Sequence, residues 1–275
     1  MAIWSALRKS KKRSAKRIGL ALSGGGARGL AYIEFCKAMD DLGVRPSIVS
    51  GTSIGAIFGA FIAADFTGRR MEQELEILSP LKIPKLIDVN LKKAVLKGQK
   101  VMEYLQKVIG VERFEDLSIP LKVVAADYWR REPVIFERGP LMPAVRASIS
   151  LPAIFKPLQY QGRILIDGGA VDPLPHEIIR DQCDYLIAID VSGSIAPTKG
   201  SLMPGMFDSI METFQTMQSA IIAEKLKRTP VDLYVKPRLL NYSILDFLKE
   251  KEIRASVALD VAAFRQKLKA DLDLQ

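Results

Sequence analysis

Short apolar runs alternating with helix-length segments predict an α/β fold with a mainly parallel central sheet. Three stretches carry that expectation. Ile18-Gly19-Leu20-Ala21-Leu22 runs into a glycine-rich loop and a helix to about Leu42, and Ile48-Val49 runs through a sharp turn into the apolar segment Ile57 to Ala64. Tyr185-Leu186-Ile187-Ala188-Ile189-Asp190 precedes a long helical segment. One helix joins the first two strands, so a right-handed crossover makes them parallel neighbours with both following loops at the same carboxyl edge. At 275 residues, 48% of them hydrophobic, the chain can fill one sizeable core.

The formal charge of +9 suggests a polyanion partner until it is located. Arg8, Lys9, Lys11, Lys12, Arg13, Lys16 and Arg17 supply seven of those charges with no acid before Glu34, which leaves about +2 for residues 18 to 275. A specific nucleic-acid role is therefore not expected. Residues 1 to 17 read as a basic, solvated leader; Trp4 and Leu7 at helical spacing offer the alternative of reversible contact with an anionic membrane. The leader lacks the apolar core of a signal peptide, and Cys36 and Cys183 form no disulfide framework, so the expected location is cytoplasmic or peripheral to a membrane. Residues 18 to 275 read as a single domain.

The first strand delivers Ser23-Gly24-Gly25-Gly26-Ala27-Arg28-Gly29. Adjacent glycines leave backbone N–H groups unshielded beside a helix N-terminus, a loop suited to an anion. Gly24, Gly26 and Gly29 satisfy the spacing of a dinucleotide fingerprint, but Val49 and Ser50 stand where that reading needs an acid for the ribose. The oxyanion of an acyl-transfer intermediate fits better, because the second strand ends in Ser53. Gly51-Thr52-Ser53-Ile54-Gly55 is a G-x-S-x-G turn in which Gly51 and Gly55 let the backbone turn sharply about the serine; the plainer alternative is a helix-capping serine.

Residues 65 to 120 read as helices with charged faces, including Met71 to Leu78 and Val101 to Ile109, forming either a cap or an outer layer. Leu121 to Asp127 and Pro133 to Phe136 read as paired strands about the turn Trp129 to Glu132. Leu151 to Pro157 is apolar and broken by prolines; core packing is the expected role, with an acyl pocket as the alternative. Arg163-Ile164-Leu165-Ile166-Asp167-Gly168-Gly169 is an apolar strand ending in a carboxylate, with Gly168 and Gly169 leaving room beside it. His176 is expected at the surface, beginning a helix to Gln182. On the long helix from Met206 to Lys227, Phe207, Ile210, Met211, Phe214, Met217 and Ile221 form a stripe expected to be core, with a lipid groove as the alternative. A strand from Val231 to Val235 and a helix from Ile253 to Leu268 close the chain.

Taken together and in order, the G-G-G-x-R-G loop, the G-x-S-x-G turn and the D-G-G segment resemble patatin-like phospholipases. Leu96-Lys97-Gly98 and the Ala147-Ser148 to Pro157 segment are similar to bacterial members, and the resemblance covers about residues 18 to 240. It implies a three-layer α/β/α fold and a Ser/Asp dyad acting on lipid acyl esters, with Ser53 as nucleophile and Asp167 as base. It also implies an oxyanion hole at Gly24, Gly25, Gly26 and Arg28. Read by itself, Arg28 is equally a helix-surface charge, a brace for the loop or a head-group contact. The single histidine, beyond Pro173 and Pro175, leaves no ordinary Ser/His/Asp triad. No cofactor and no metal are expected, because no ligand cluster is spaced for one. The competing expectation is a non-catalytic membrane- or partner-binding protein on the same fold.

Overall fold

Alternation along the strands sets the layers. The computed structural model describes residues 16–75, 89–90, 95–96, 98–196 and 203–274. The apolar pattern at Trp4 and Leu7, the end of the helix expected to reach Leu78, and Lys97 lie outside the described residues.

In chain order the strands are β1 (Ile18–Leu22), β2 (Ile48–Thr52), β3 (Val89–Asn90), β4 (Val95–Leu96), β5 (Leu121–Asp127), β6 (Glu132–Phe136), β7 (Leu158–Tyr160), β8 (Arg163–Asp167), β9 (Tyr185–Ile189) and β10 (Leu233–Val235). The helices are α1 (Tyr32–Asp41), α2 (Ile54–Ala63), α3 (Gly68–Leu75), α4 (Gln99–Ile109), α5 (Leu141–Ser148), α6 (Met206–Arg228), α7 (Glu250–Ser256) and α8 (Ala258–Leu272). Among the described residues β3 and β4 pair only with each other. The central sheet runs β10-β9-β1-β2-β5-β8-β7, with β6 also on β5; β10, β9, β1, β2 and β5 are parallel, while β6 and β8 are antiparallel to β5, and β7 to β8.

Successive side chains of a strand point to opposite faces. Leu20 and Leu22 of β1 and Ile187 and Ile189 of β9 join the core that α1, α2, α5, α7 and α8 cover. Ala21 and Leu186 enter a second core with Ile179 and with Ile222 of α6. The result is a mixed, mainly parallel sheet between two helical layers. Among the described residues no helix is long and apolar enough to cross a membrane.

One local arrangement decides where the loops meet. Residues 123–127 of β5 pair with β6, residues 121–124 pair with β2, and residues 125–127 pair with β8. A strand has two edges, so β2 and β8 share the edge opposite β6, one after the other. They approach head-on: β2 ends at Thr52 opposite Val124, and β8 ends at Asp167 opposite Ala125. The residue after β2 and the last residue of β8 are therefore brought together by backbone register.

Some elements differ from the sequence reading. A 3-10 turn over Gly26–Ala31 precedes α1. The closing helix is two helices that meet at buried Val257, where Ser256 turns its hydroxyl back onto the Ile253 carbonyl. His176 is fully buried rather than at the surface, its ring nitrogens facing the carbonyls of Leu174 and Thr229.

The head-on junction leaves no room beside Gly168, where an added Cβ would stand 2.2 Å from the Val124 carbonyl oxygen. Gly168→Ala is expected to destabilise the protein by about 1–3 kcal/mol, as forced overpacking does. Urea unfolding of the two proteins measures it, and equal midpoints would contradict the junction.

Candidate active site

Ser53 caps α2 with φ 56° and ψ −124°, a conformation a side-chain-bearing residue rarely holds. The turn is possible because its neighbours are bare. A Cβ on Gly51 would lie 2.2 Å from the Gly55 carbonyl oxygen, and one on Gly55 would lie 2.4 Å from the Leu22 carbonyl oxygen. The Ser53 N–H donates to Ser148 Oγ at 2.8 Å, and Ser148 donates in turn to the Val124 carbonyl at 2.6 Å. Thr52 Oγ1 donates to the Asp172 carbonyl at 2.7 Å. Both sides of the turn are thus anchored to β5 and to the segment after β8.

The Ser53 hydroxyl donates to Asp167 Oδ2 at 2.7 Å, and the Gly169 N–H donates to Asp167 Oδ1 at 2.8 Å. Asp167 is only 3% exposed. Burial pushes its carboxyl up from the ordinary 3.8 to about 6, against the lowering effect of the two hydrogen bonds. A carboxylate so raised still ionises at neutral pH and is a stronger base than a solvated aspartate. No histidine takes part in this pair.

The glycine loop lies alongside. A Cβ on Gly24 would sit 3.4 Å from Ser53 Cβ. The Gly24 N–H is already donated to the Pro173 carbonyl at 3.0 Å, which corrects the expectation that all three glycines offer donors. Among the described residues no backbone acceptor is bonded to the N–H groups of Gly25 and Gly26. Arg28 is not a surface charge: it is 1% exposed. Its Nε donates to the Gly25 carbonyl at 3.1 Å and its Nη2 to Gln215 Oε1 on α6 at 2.5 Å. Burial lowers the guanidinium to about 10, with Glu212 and Asp190 acting the other way, so it stays charged at neutral pH. The guanidinium braces the loop from behind.

Ser53, Asp167 and the glycine loop open on a cavity of about 530 Å³. Its walls are Ile54, Ile57 and Phe58 of α2, Val101, Tyr104 and Leu105 of α4, Met211 and Phe214 of α6, and the 244–248 segment. Leu151, Ile154 and Phe155 also line it and are only half-buried, and Phe155 packs against the main core as well, so this stretch is pocket wall in addition to the core packing expected. Asp167 is the only carboxylate among the described lining residues, and it is committed to Ser53 and Gly169, so none of them offers a partner for the ribose of a dinucleotide. From the span expected to form a cap, α4 supplies one wall, while residues 76–88 lie outside the described residues. Among the described residues no group of three or more His, Cys, Asp or Glu side chains is arranged to hold a metal ion.

Three supports went unread in the sequence. Ser148 anchors Ser53, Gln215 receives Arg28, and Gln218 packs where a Cβ on Gly169 would stand 2.1 Å from its Nε2. Gln215 and Gln218 sit one turn apart on α6, so that helix touches both the glycine loop and the segment beside Asp167. Nothing local marks them, because their partners are more than forty positions away in sequence.

These features define a class: an α/β/α protein in which a serine on a strained strand-to-helix turn is bonded to a buried carboxylate facing an apolar cavity. A family model for patatin-like phospholipase matches residues 20–180, and the chain belongs to that family. An uncharacterized NTE family protein of Mycobacterium tuberculosis is 33% identical over 223 residues, which cover 80% of this chain and 61% of that one. Lysophospholipase NTE1 of Meyerozyma guilliermondii is 28% identical over 282 residues, covering 90% of this chain and 19% of that one. The chain thus spans less than two thirds of either relative's length. VipD from Legionella pneumophila superposes with a TM-score of 0.56 at 16% identity, over 94% of this chain and 67% of that one, a likeness of fold.

The raised Asp167 carboxyl links pH to stability. Its proton is held more tightly in the folded chain than in the unfolded one, so its contribution is complete below about pH 4 and is lost as pH rises through about 6. Asp167→Asn cannot ionise, so the variant's stability relative to wild type should be greater at pH 8 than at pH 4, by up to about 3 kcal/mol. Urea unfolding at the two pH values measures this, and a difference of the opposite sign would contradict the burial of an ionised Asp167.

Proposed function

We propose that the protein is a serine acyl hydrolase that cleaves lipid acyl esters, of phospholipid or lysophospholipid type, through Ser53 and Asp167. The observation that carries this reading is the 2.7 Å hydrogen bond from Ser53 Oγ to Asp167 Oδ2 at the wall of a large apolar cavity. Family membership and the lysophospholipase name of a relative support the same chemistry.

In the proposed reaction the acyl chain lies along the walls formed by α2, α4 and α6, with the ester carbonyl at Ser53. Ser53 Oγ attacks the carbonyl carbon while its proton passes to Asp167 Oδ2. The carbonyl oxygen becomes an anion that accepts from the Gly25 and Gly26 N–H groups, and the loss of one such donor typically costs about 3 kcal/mol of the barrier. Collapse of the intermediate breaks the ester C–O bond, and the departing alkoxide takes the proton from Asp167. Water then attacks the acyl-Ser53 carbonyl, Asp167 accepts its proton, and return of that proton to Ser53 Oγ releases the carboxylic acid. Gly51 and Gly55 hold the turn, Gly168 and Gly169 let the Val124 carbonyl and Gln218 pack directly against the segment after the base, and Arg28 keeps the glycine loop in place.

One group, Asp167, governs the pH dependence of the proposed reaction. Asp167 must be ionised to accept the proton, so kcat/KM on a soluble aryl ester should fall about tenfold per pH unit below about 6 and level off above it. Ser53→Ala should lower turnover at least about a thousandfold while leaving the fold intact by circular dichroism. A folded Ser53→Ala protein with wild-type turnover would overturn the proposal.

A further inference from the structure

We propose that the exposed flank of α6, formed by Met206, Ile210 and Met217, is the surface that lies on the lipid aggregate from which the cavity draws its substrate. The inference rests on the acyl-hydrolase reading and extends it from the reaction to the state in which the substrate is met. The sequence stripe on this helix reads as core, yet the structure divides it. Met211 is buried against the body and Phe214 lines the cavity, whereas Met206, Ile210 and Met217 are 82%, 54% and 58% exposed. They stand at positions i, i+4 and i+11, which an α-helix places along one flank. Glu212, Thr216 and Ser219 occupy the other flank. Among the described residues nothing covers the apolar side.

The flank is continuous with the mouth of the cavity. Phe207 and Phe214, seven residues apart, lie between it and the buried face, and Phe214 is itself cavity wall. Leu245 and Leu248 line the cavity and are 48% and 62% exposed, so the cavity wall reaches the protein surface here as well as beside α6. Exposed apolar side chains gathered around a pocket mouth mark an interaction surface rather than scattered surface hydrophobes. The occupant follows from that position: a protein seated here would stopper the cavity, whereas a lipid surface supplies what the cavity accepts. An acyl chain entering directly from the aggregate avoids exposure to water, worth about fourfold in equilibrium constant per methylene. Flexible methionine side chains suit a fluid partner. The buried face of the same helix holds Arg28 through Gln215, so the docked surface and the glycine loop share one rigid element.

The test compares the full chain with the triple variant Met206→Gln/Ile210→Gln/Met217→Gln, none of whose positions lines the cavity. Two substrates are used: p-nitrophenyl butyrate in solution, and lysophosphatidylcholine carried in phosphatidylcholine vesicles, which are zwitterionic so that the basic leader does not dominate binding. The expected result is soluble-ester turnover within about twofold of wild type, with vesicle turnover and vesicle co-sedimentation both reduced at least about tenfold. The single variant Ile210→Asp should shift the same readouts in the same direction. Unchanged vesicle turnover and co-sedimentation in a triple variant that still hydrolyses the soluble ester would overturn the proposal. So would a wild-type dimer that the variant splits without any change on vesicles, which would assign the flank to a second copy. Flank-dependent vesicle binding by a wild type that hydrolyses neither ester would support the surface while rejecting the acyl-hydrolase reading.

Discussion

The edge of β5 that β2 and β8 share is the constraint on which the rest of the site depends. Backbone ladders fix register to one residue, and here two ladders on one edge fix the end of β2 and the end of β8 relative to each other. Ser53 and Asp167, 114 positions apart in sequence, meet because of that pairing and not because of any local signal between them. Glycine is required where the ends converge, since side chains at Gly51, Gly55 and Gly168 would collide with carbonyl oxygens.

Burial does two jobs at this junction. It removes Asp167 from water, raising its carboxyl to about 6, and it places Arg28 where its charge is met by the Gly25 carbonyl and Gln215. An ionised carboxylate in such a place opposes folding, a pattern common where function demands an environment that stability alone would not select. The rest of the molecule holds the strain. Ser148 and Asp172 tie the Ser53 turn to its surroundings, and Lys225 on α6 bridges Asp172 at 2.7 Å and Glu177 at 3.1 Å. α6 is therefore fastened at its carboxyl half by charge and at its middle by Gln215 and Gln218, while its first turns present apolar side chains outward.

The parts of this arrangement that chain-local chemistry dictates were legible in the sequence. A glycine cluster after an apolar run, a serine between glycines and an aspartate before glycines each state a backbone requirement within a few residues, and the parallel order of β1 and β2 follows from one intervening helix. What the sequence withheld depends on partners far along the chain. Nothing near Arg163 to Asp167 says that β8 runs antiparallel on β5. Arg28 and His176 look like surface residues because burial is decided by elements more than fifty positions away. Periodicity reveals the apolar stripe on α6 but not whether anything packs on each side of it, and Leu151 to Phe155 is as apolar as core while serving as cavity wall.

The most direct test of the central claim is the intact mass of the protein after exposure to a fluorophosphonate, followed by peptide mapping. A single adduct on Ser53 that forms more slowly in Asp167→Asn, and more slowly in wild type as pH falls through about 6, is the predicted result. A folded, hydrolytically active wild type that carries no adduct, or one that carries it on another residue, would contradict the assignment of Ser53 and Asp167 as the reacting pair.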